Sequence, residues 1–339
     1  MSFLSSCLLL ALAATGTATS LQNHAANLRR YVDSLPLHEH SKMSHQEAMD
    51  HYLPNHHKRD FQPATFKGNF QKRNFNTIQS VYNLTVFPKN LFIFANKTEI
   101  GHPFFDQKVS GRVGPVGNFS GYEDNIEYFW GLAPIPLGDT PSAFTKATVT
   151  QFTSGCPEVA ASTVEFRMGF TDGPDDGKKI AVLKETAFWK FGPDGKITAY
   201  EASIPNLNNF VGKTTSPLGT IFKGGSFVPT TGQKDVIYDN LCGAHDLLCK
   251  DGFAQWFSKD ECIAELKKKP FGTFDAVWGD NVVCRLVHVM LASIRPGHHC
   301  PHVGPTGGGK CVDVDPNVVY NDDVELYGQK QLFMCPSTD

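Results

Sequence analysis

Alternation of apolar and polar residues dominates the middle of the chain, from about residue 164 to residue 203. One face of the first alternating segment is apolar: Val164, Phe166, Met168 and Phe170. The motif "TDGPDDG" then predicts a turn into "KKIAVLKETAFWKF", and "GPDG" predicts a second turn into "KITAYEASI". A period of two residues interrupted by Gly, Pro and Asp clusters is typical of strands in an antiparallel meander.

Helical spacing precedes this meander. Three apolar residues at positions i, i+3 and i+7 predict a short helix that ends before Pro88: Phe75, Ile78 and Tyr82. The sequence 120–123 reads as a capping box, in which the Ser120 hydroxyl and the Glu123 carboxylate bind orphan backbone N–H groups. The residues behind it share one apolar face: Tyr122, Ile126, Phe129 and Trp130.

The last third of the chain is also helical in pattern. Residues 258–261 form a second capping box, and Asp280 or Asn281 can cap a later helix. The apolar face of that later helix comprises Val283, Leu286, Val287, Met290, Leu291 and Ile294. Residues 212–232 are rich in Gly, Thr and Pro without a sustained period, so we expect a linker there.

The segment "AFWKFGPDGKITAYEASIPNL" resembles the last hairpin of SnoaL-like proteins, which belong to the nuclear transport factor 2 superfamily. "GYEDNIEYFWGL" is similar to the helix that packs into the cone of that family. The resemblance covers roughly residues 75–210 and implies a curved sheet around helices, with a pocket at its mouth. It does not fix an activity, because cyclases, isomerases, dehydratases and binding modules share the fold. The family's polar position after the last strand is Asn206 here, which disfavours cyclase-type acid–base chemistry.

"WGDNVVCRLVHVMLASIRPGHHCPHVGPTGGGKC" is similar to the cysteine-rich tail of uncharacterised secreted fungal proteins. We therefore predict an α+β fold, a curved antiparallel sheet cone with packed helices, followed by a disulfide-stapled helical C-terminal region. The predicted segments are a signal peptide (1–20), a pro-region or disordered arm (21–73), a SnoaL-like domain (74–211), a linker (212–232) and a cysteine-rich helical domain (233–339).

Several features indicate secretion. The apolar run from Leu8 to Ala14 is followed by small residues, as in a cleaved signal peptide, and is too short to cross a bilayer, which takes roughly 20 residues. The dibasic pairs 58–59 and 72–73 suit proteolytic processing of the histidine-rich segment behind it, although an uncleaved arm remains an alternative. Three sequons predict surface glycosylation: Asn83, Asn96 and Asn118.

Cysteine usage fits the same compartment. The chain has nine cysteines, and removal of Cys7 with the signal peptide leaves an even number. These eight predict up to four disulfides whose connectivity the sequence does not determine, because 105 pairings are possible. They are Cys156, Cys242, Cys249, Cys262, Cys284, Cys300, Cys311 and Cys335.

Two carboxylates are candidate catalytic groups. Glu185 and Glu201 alternate with apolar residues along their strands, so each would enter an apolar pocket if that face lines the cone. Desolvation would raise the pKa of such a carboxyl group and suit it for general acid–base catalysis. The alternative is that both face water and pair with Lys184 or Lys196. Four aromatic residues are candidate ligand-binding groups, with ordinary core packing as the alternative: Tyr128, Trp130, Trp189 and Tyr200.

The stretch "HHCPHVGPTGGGKC" (298–311) allows three interpretations. It fits the glycine–lysine spacing of a phosphate loop, but it lacks the preceding strand, and Cys311 replaces the magnesium-binding hydroxyl. Its histidines, with His288, are of the type that binds metals. We favour a turn closed by Cys300 and Cys311, and the sequence assigns neither a metal nor a cofactor.

Charge excludes some partners. The net charge of −3 and the absence of a basic, aromatic-interleaved patch argue against nucleic acid binding, and no later segment suits a membrane span. We expect a secreted protein that binds a small apolar or aromatic ligand. The alternatives are a cofactor-free lyase or isomerase that uses a pocket carboxylate, and a surface-interaction protein without a pocket. The ligand and the oligomeric state cannot be read from the sequence.

Overall fold

The computed structural model describes residues 69–91, 93, 104–136, 141–172, 176–215, 222–223 and 226–336. The predicted signal peptide, the predicted arm up to residue 68 and the sequon at Asn96 lie outside these residues. Among the described residues, no helix is both long and apolar enough to cross a membrane.

A six-stranded sheet forms the first half, in the order β2-β1-β6-β5-β4-β3. Strands β3 to β6 make the predicted antiparallel meander, and β1 adds to it parallel to β6. The strands are β1 (Phe105–Gly114), β2 (Gly117–Ser120), β3 (Ser142–Cys156), β4 (Val159–Phe170), β5 (Lys179–Phe191) and β6 (Ile197–Ser203). A small hairpin follows, formed by β7 (Phe222–Lys223) and β8 (Ser226–Phe227).

The sheet curves around two helices. Three register shifts between β3 and β4 bend the sheet, since an extra residue on one strand of a pair kinks it. Helix α1 (Asn69–Leu84) and helix α2 (Tyr122–Ile126, continued by a π-helical turn over Glu127–Gly131) pack against the sheet. Tyr82 of α1 reaches the sheet core, where its ring contacts Phe166 and Trp189 edge to face.

The second half is helical, which confirms the predicted α+β class with its curved sheet and stapled C-terminal region. Its helices, with the one that leads into it, are α3 (Leu207–Thr215), α4 (Thr231–Leu248), α5 (Lys259–Leu266), α6 (Val282–Leu291), α7 (Pro296–Val303), α8 (Pro316–Asn321) and α9 (Asp323–Tyr327). Short 3-10 turns occur at Lys89–Leu91 and Gly307–Gly309.

Helix caps explain several of these boundaries. Ser258 caps α5 by accepting the Glu261 N–H, and Asn281 caps α6 by accepting the Cys284 N–H, as predicted. The Glu261 carboxylate accepts the Phe257 N–H instead of the Ser258 N–H, so the second half of the predicted capping box is wrong. The capping box expected at Ser120 is wrong. Ser120 is the last residue of β2 and pairs with Ser110, so its backbone is extended, and Gly121 (φ 82°) makes the turn into α2 without a side-chain cap.

The two halves share one hydrophobic core, which runs from Phe75 in α1 to Val303 in α7. Gly131 lies against this junction, since a Cβ atom there would come within 2.7 Å of the Ile294 Cδ1 atom. The predicted linker 212–232 is partly helical: α3 extends to Thr215 and α4 begins at Thr231. The helical half therefore packs directly onto the sheet half and shares its hydrophobic core.

Disulfide bonding is confirmed, and the eight cysteines form four bonds: Cys156–Cys335, Cys242–Cys262, Cys249–Cys300 and Cys284–Cys311. The expected closure of a turn by Cys300 with Cys311 is wrong. Residues 296–303 are helical, and Cys300 on α7 bonds to Cys249 at the end of α4. Cys311 bonds instead to Cys284 at the start of α6.

Candidate functional site

A cavity of about 110 Å³ lies where the mouth of the curved sheet meets the helical half. Phe144, Phe166 and Leu183 contribute apolar walls from the sheet. Val287 and Met290 of α6 contribute the opposite wall. Residues beyond the predicted linker therefore complete a pocket that the sheet half begins.

Glu185 of β5 is the one carboxylate among the residues that line this cavity. Its side chain is buried, as the alternation along β5 predicts. Oε1 accepts a hydrogen bond from the Tyr82 hydroxyl at 2.8 Å, and Oε2 accepts one from the Tyr128 hydroxyl at 2.6 Å.

These contacts set the protonation chemistry of the group. Burial raises the pKa of Glu185, and the hydrogen bonds from Tyr128 and Tyr82 oppose part of that rise. The pKa values of both tyrosines are raised well above their usual range, first by burial and then by the Glu185 charge. A carboxyl group in this setting can hold or release a proton next to an apolar guest, and the phenols stay protonated as donors.

The four aromatic candidates do not share one location. Tyr128 lines the cavity. Trp130 and Trp189 are fully buried outside the lining, and their indole N–H groups donate to the Val81 carbonyl at 3.1 Å and to the Ser162 hydroxyl at 2.9 Å. Tyr200 is also fully buried, stacked on Tyr128 with 6.1 Å between ring centroids. Trp130, Trp189 and Tyr200 thus lie in the packed core, with Tyr200 directly behind the cavity wall.

Glu201, the second carboxylate candidate, lies away from the cavity. It is half-exposed and pairs with the buried Arg112 guanidinium at 3.3 Å, which also binds Asp323 of α9 at 2.7 Å. The Arg112 group lies over the Tyr327 ring, 5.4 Å from its centroid. This charge cluster attaches the C-terminal helix α9 to the outer side of the sheet.

A second polar cluster joins α2 to α6 and α7. The Nδ1 atom of His288 lies 3.1 Å from the Nδ1 atom of His299 and 3.2 Å from that of His302. On the far side of its ring, His299 Nε2 lies 2.9 Å from Glu127 Oε2, and Arg295 donates to both oxygens of Glu127. The sequence identified these histidines as metal-type residues but gave no signal for Glu127, because residue 127 lies in the other half of the chain.

Burial dominates the electrostatics of this cluster. The pKa of His288 falls well below its usual range, through burial and the neighbouring imidazoles of His299 and His302. Burial, with the neighbouring imidazoles of His299 and His298, lowers the pKa of His302 to about 3. Both rings are therefore neutral at physiological pH, with a free nitrogen lone pair each.

The glycine-rich segment after α7 does not have the form of a phosphate loop. It follows a helix rather than a strand, and Gly307, Gly308 and Gly309 all have positive φ angles in a tight 3-10 turn. The Lys310 ammonium donates to the Asn118 carbonyl at 2.9 Å. This lysine therefore ties the turn to β2.

Comparison with known proteins gives relatives in fungi. The chain is 27% identical to the Aurasperone B biosynthesis cluster protein A of Aspergillus niger over 271 residues, which cover 77% of this chain and 86% of the relative. It is 26% identical to the Bifonsecin B biosynthesis cluster protein A of Aspergillus brasiliensis over 272 residues, which cover 77% and 89%.

Solved structures match less than half of the chain. A protein assigned as a SnoaL-like polyketide cyclase from Jannaschia sp. CCS1 has 9% identity and a TM-score of 0.31, covering 44% of this chain and 97% of that one. An LEH-like epoxide hydrolase from M. tuberculosis has 7% identity and a TM-score of 0.30, covering 44% and 95%. The predicted resemblance to SnoaL-like proteins is confirmed as one of fold.

Residues 227–314, which carry three of the four disulfides and the histidine cluster, match the C-terminal domain of the BfoA family.

Proposed function

We propose that this protein binds a small apolar or aromatic ligand in the cavity, with Glu185 fixing the orientation of one polar group. The observation that carries the proposal is a cavity with apolar walls and a single carboxylate held by two phenols. A concave apolar site with a few fixed polar groups is the usual design of a small-molecule pocket.

The volume limits the ligand. An engineered apolar cavity of about 150 Å³ binds benzene, whereas pockets for drug-sized ligands measure about 300–1,000 Å³. The cavity here, about 110 Å³, suits one aromatic ring, a short apolar chain or the end of a larger molecule. A hydroxyl or amine on that ring would find the Glu185 carboxylate as an acceptor.

The relatives support a biosynthetic setting for this ligand. Both fungal relatives are named as biosynthesis cluster proteins, and we place the ligand of this chain among the small molecules of such a cluster. The four disulfides suit an oxidising compartment. Together with the predicted signal peptide and sequons, they support a secreted glycoprotein.

Titration calorimetry of the purified protein with benzene, toluene, phenol and aniline tests the binding proposal. We expect binding of the single-ring compounds, with phenol and aniline preferred over toluene because they can donate to Glu185. Met290→Trp should fill the cavity and abolish binding, whereas Met334→Trp, at an exposed methionine, should leave binding unchanged. Wild-type protein that binds none of the four compounds, or equal loss in both variants, would contradict the proposal.

A second candidate function is that of a cofactor-free lyase or isomerase, favoured by the raised pKa of Glu185 in the cavity wall. A carboxyl group with a raised pKa can act as a general acid or base near neutral pH. In that case Glu185→Gln would bind the ligand but leave it chemically unchanged, while the wild type would convert it, as followed by mass spectrometry. Ligand recovered unchanged from the wild type excludes turnover and leaves the binding function.

A further inference from the structure

The histidine cluster has more hydrogen-bond acceptor nitrogens than N–H donors to pair with them. Glu127 is held as an acceptor by both nitrogens of the Arg295 guanidinium that reach it, at 2.6 and 2.7 Å. His299 Nε2 must therefore carry the proton that it shares with Glu127 at 2.9 Å. A neutral His299 ring then presents a bare lone pair at Nδ1, towards His288.

His288 cannot satisfy both of its neighbours. If its Nδ1 carries a proton, that one proton must serve both His299 Nδ1 at 3.1 Å and His302 Nδ1 at 3.2 Å. If its Nδ1 is bare, it has one lone pair, and two donors cannot each take it. No assignment of protons gives each of the three nitrogens its own partner, although His299 and His302 are buried. A buried polar group without a partner destabilises the folded state, so this geometry needs an explanation.

A cation satisfies all three lone pairs at once. Each of the three rings offers one ring nitrogen, and these nitrogens lie within 4.8 Å of one another. Tetrahedral zinc with Zn–N bonds of about 2.0–2.1 Å needs ligand nitrogens about 3.3–3.4 Å apart. The two measured separations, 3.1 and 3.2 Å, are close to that spacing.

The surroundings resemble those of a metal-binding histidine. Such an imidazole almost always donates its other N–H to a carboxylate or carbonyl, which fixes the tautomer and the ring orientation. Glu127 does this for His299, and Arg295 in turn holds Glu127 and Asp124. The carboxylates of Asp124 and Glu127 pair with Arg295, so its positive charge is offset within the cluster.

We propose that the Nδ1 atoms of His288, His299 and His302 bind one divalent cation of the zinc class. Three neutral imidazoles suit zinc better than calcium or magnesium, which prefer oxygen ligands. The nearby Cys284 and Cys311 sulfurs are bonded to each other, so they supply no thiolate. Three histidines leave a fourth position for water or a ligand atom, and His288, the partly exposed member, gives access to it.

The site is separate from the cavity. Val287 and Met290 line the cavity, while His288 faces α7 on the other side of α6. In the same way Tyr128 points to Glu185 and its neighbour Glu127 points to His299. The metal proposal can therefore be tested independently of the ligand proposal.

Calorimetric titration of the disulfide-intact, tag-free protein with Zn²⁺ tests the site, with Co²⁺ as a spectroscopic probe. We expect Zn²⁺ binding that His302→Gln weakens by at least about 100-fold, more than the 10–100-fold typical of a lost supporting carboxylate. His298→Gln is the matched control, since His298 lies on the same helix and near Asp124 but outside the three converging nitrogens. The His298→Gln variant should keep wild-type affinity. Both variants retain the histidine-rich N-terminal segment, so any weak zinc binding by that segment would be the same in both and cannot explain a difference between them.

Spectroscopy of the wild-type protein tests the site without relying on a variant that could fail to fold. With less than one equivalent of metal, we expect the intense visible absorption of tetrahedral Co²⁺, and zinc X-ray absorption that shows imidazole neighbours and no sulfur. Zinc should also raise the unfolding temperature of the wild type and of His298→Gln. Wild-type protein without zinc affinity, sulfur in the zinc shell, or equal losses in the two histidine variants would overturn the proposal.

Discussion

At the scale of single residues, the arrangement of Glu185 decides what the cavity can do. The carboxylate accepts hydrogen bonds from two phenol hydroxyls, and hydroxyl donors stabilise its charge less than a guanidinium would. Burial therefore prevails, and the pKa of Glu185 rises. A guest that donates a proton or a hydrogen bond to this group would relieve part of the burial cost.

The raised pKa of Glu185 predicts how stability depends on pH. Because the folded state binds this proton more tightly than the unfolded state, the free energy of unfolding should fall as the pH rises from about 4.3, the ordinary glutamate pKa, through the raised value. Glu185→Gln removes this contribution, so the variant should lose less stability over the same range. Urea unfolding at a series of pH values measures the difference between the two proteins.

Glu165→Gln is the control, at a half-exposed carboxylate that pairs with Lys184. It should keep the wild-type slope in the window above pH 4.3. If the wild type and Glu185→Gln gave parallel pH profiles, the folded and unfolded states would bind the Glu185 proton equally. That outcome would contradict the prediction.

Alternation along the strands predicts the position of Glu185 but not that of Glu201. Simple alternation along β5 places Glu185 inside, and the structure agrees. Alternation along β6 puts Glu201 on the face of Ile197, but the register shifts next to Ile197, so Tyr200 pairs with Trp189 and Glu201 pairs with Phe188. A bulge exchanges the two faces of a strand, and no pattern in the sequence marked this one.

At the scale of elements, local signals predicted helix boundaries well where the residues before the helix are irregular. Ser258 and Asn281 cap their helices because the chain before each is irregular and leaves the side chain free to bind the N–H groups. Ser120 has the same type of sequence but belongs to a strand. Pairing with β1 decided its conformation, and such non-local pairing cannot be read from four residues.

Removal of the α6 cap should be measurable. Asn281→Ala deletes the acceptor of the Cys284 N–H and the donor to the Trp278 carbonyl, so we expect a loss of about 1–2 kcal/mol in the free energy of unfolding. Ser258→Ala, at the exposed cap of α5, should cost less, about 0.5–1 kcal/mol. Chemical denaturation of both variants gives the comparison, and a larger loss for Ser258→Ala would contradict it.

At the scale of the whole molecule, the C-terminal segment holds the sheet from outside. The Cys156–Cys335 bond joins residues 179 positions apart, at the tip of β3 and near the end of the chain. Between them, Asp323 binds Arg112 and the Tyr327 hydroxyl donates to the Tyr200 carbonyl. The even number of cysteines predicted disulfide bonds but not their pairing, because disulfide partners depend on the tertiary path.

Loss of this long-range bond should be costly. The paired substitution Cys156→Ser with Cys335→Ser avoids a free thiol, and we expect it to lower the free energy of unfolding by about 2–5 kcal/mol. The matched pair Cys242→Ser with Cys262→Ser opens a bond of sequence separation 20, so chain entropy predicts a smaller loss. Denaturation midpoints under non-reducing conditions rank the two, and the reverse order would contradict the entropic account.

Processing of the N-terminal segment is a further prediction at this scale. Lys72 and Arg73 lie within α1, and the Arg73 guanidinium donates to the Pro157 carbonyl at 2.7 Å. A protease would have to unwind this turn, so we expect cleavage after Arg59 rather than after Arg73. N-terminal sequencing of the secreted protein tests this, and a mature chain that begins at Asn74 would contradict it.

The shared wall of the cavity has a consequence for synthesis on the ribosome. Phe144, Phe166 and Leu183 are synthesised first, and Val287 and Met290, which close over them, are the last of the lining residues to be made. From Phe210 to Met290 the ribosome adds roughly 80 residues, which takes about 4–16 s at 5–20 residues per second. During that interval the nascent sheet half exposes the apolar residues of its cavity wall to solvent. We infer that it depends on chaperone protection until its own C-terminal helices have been synthesised.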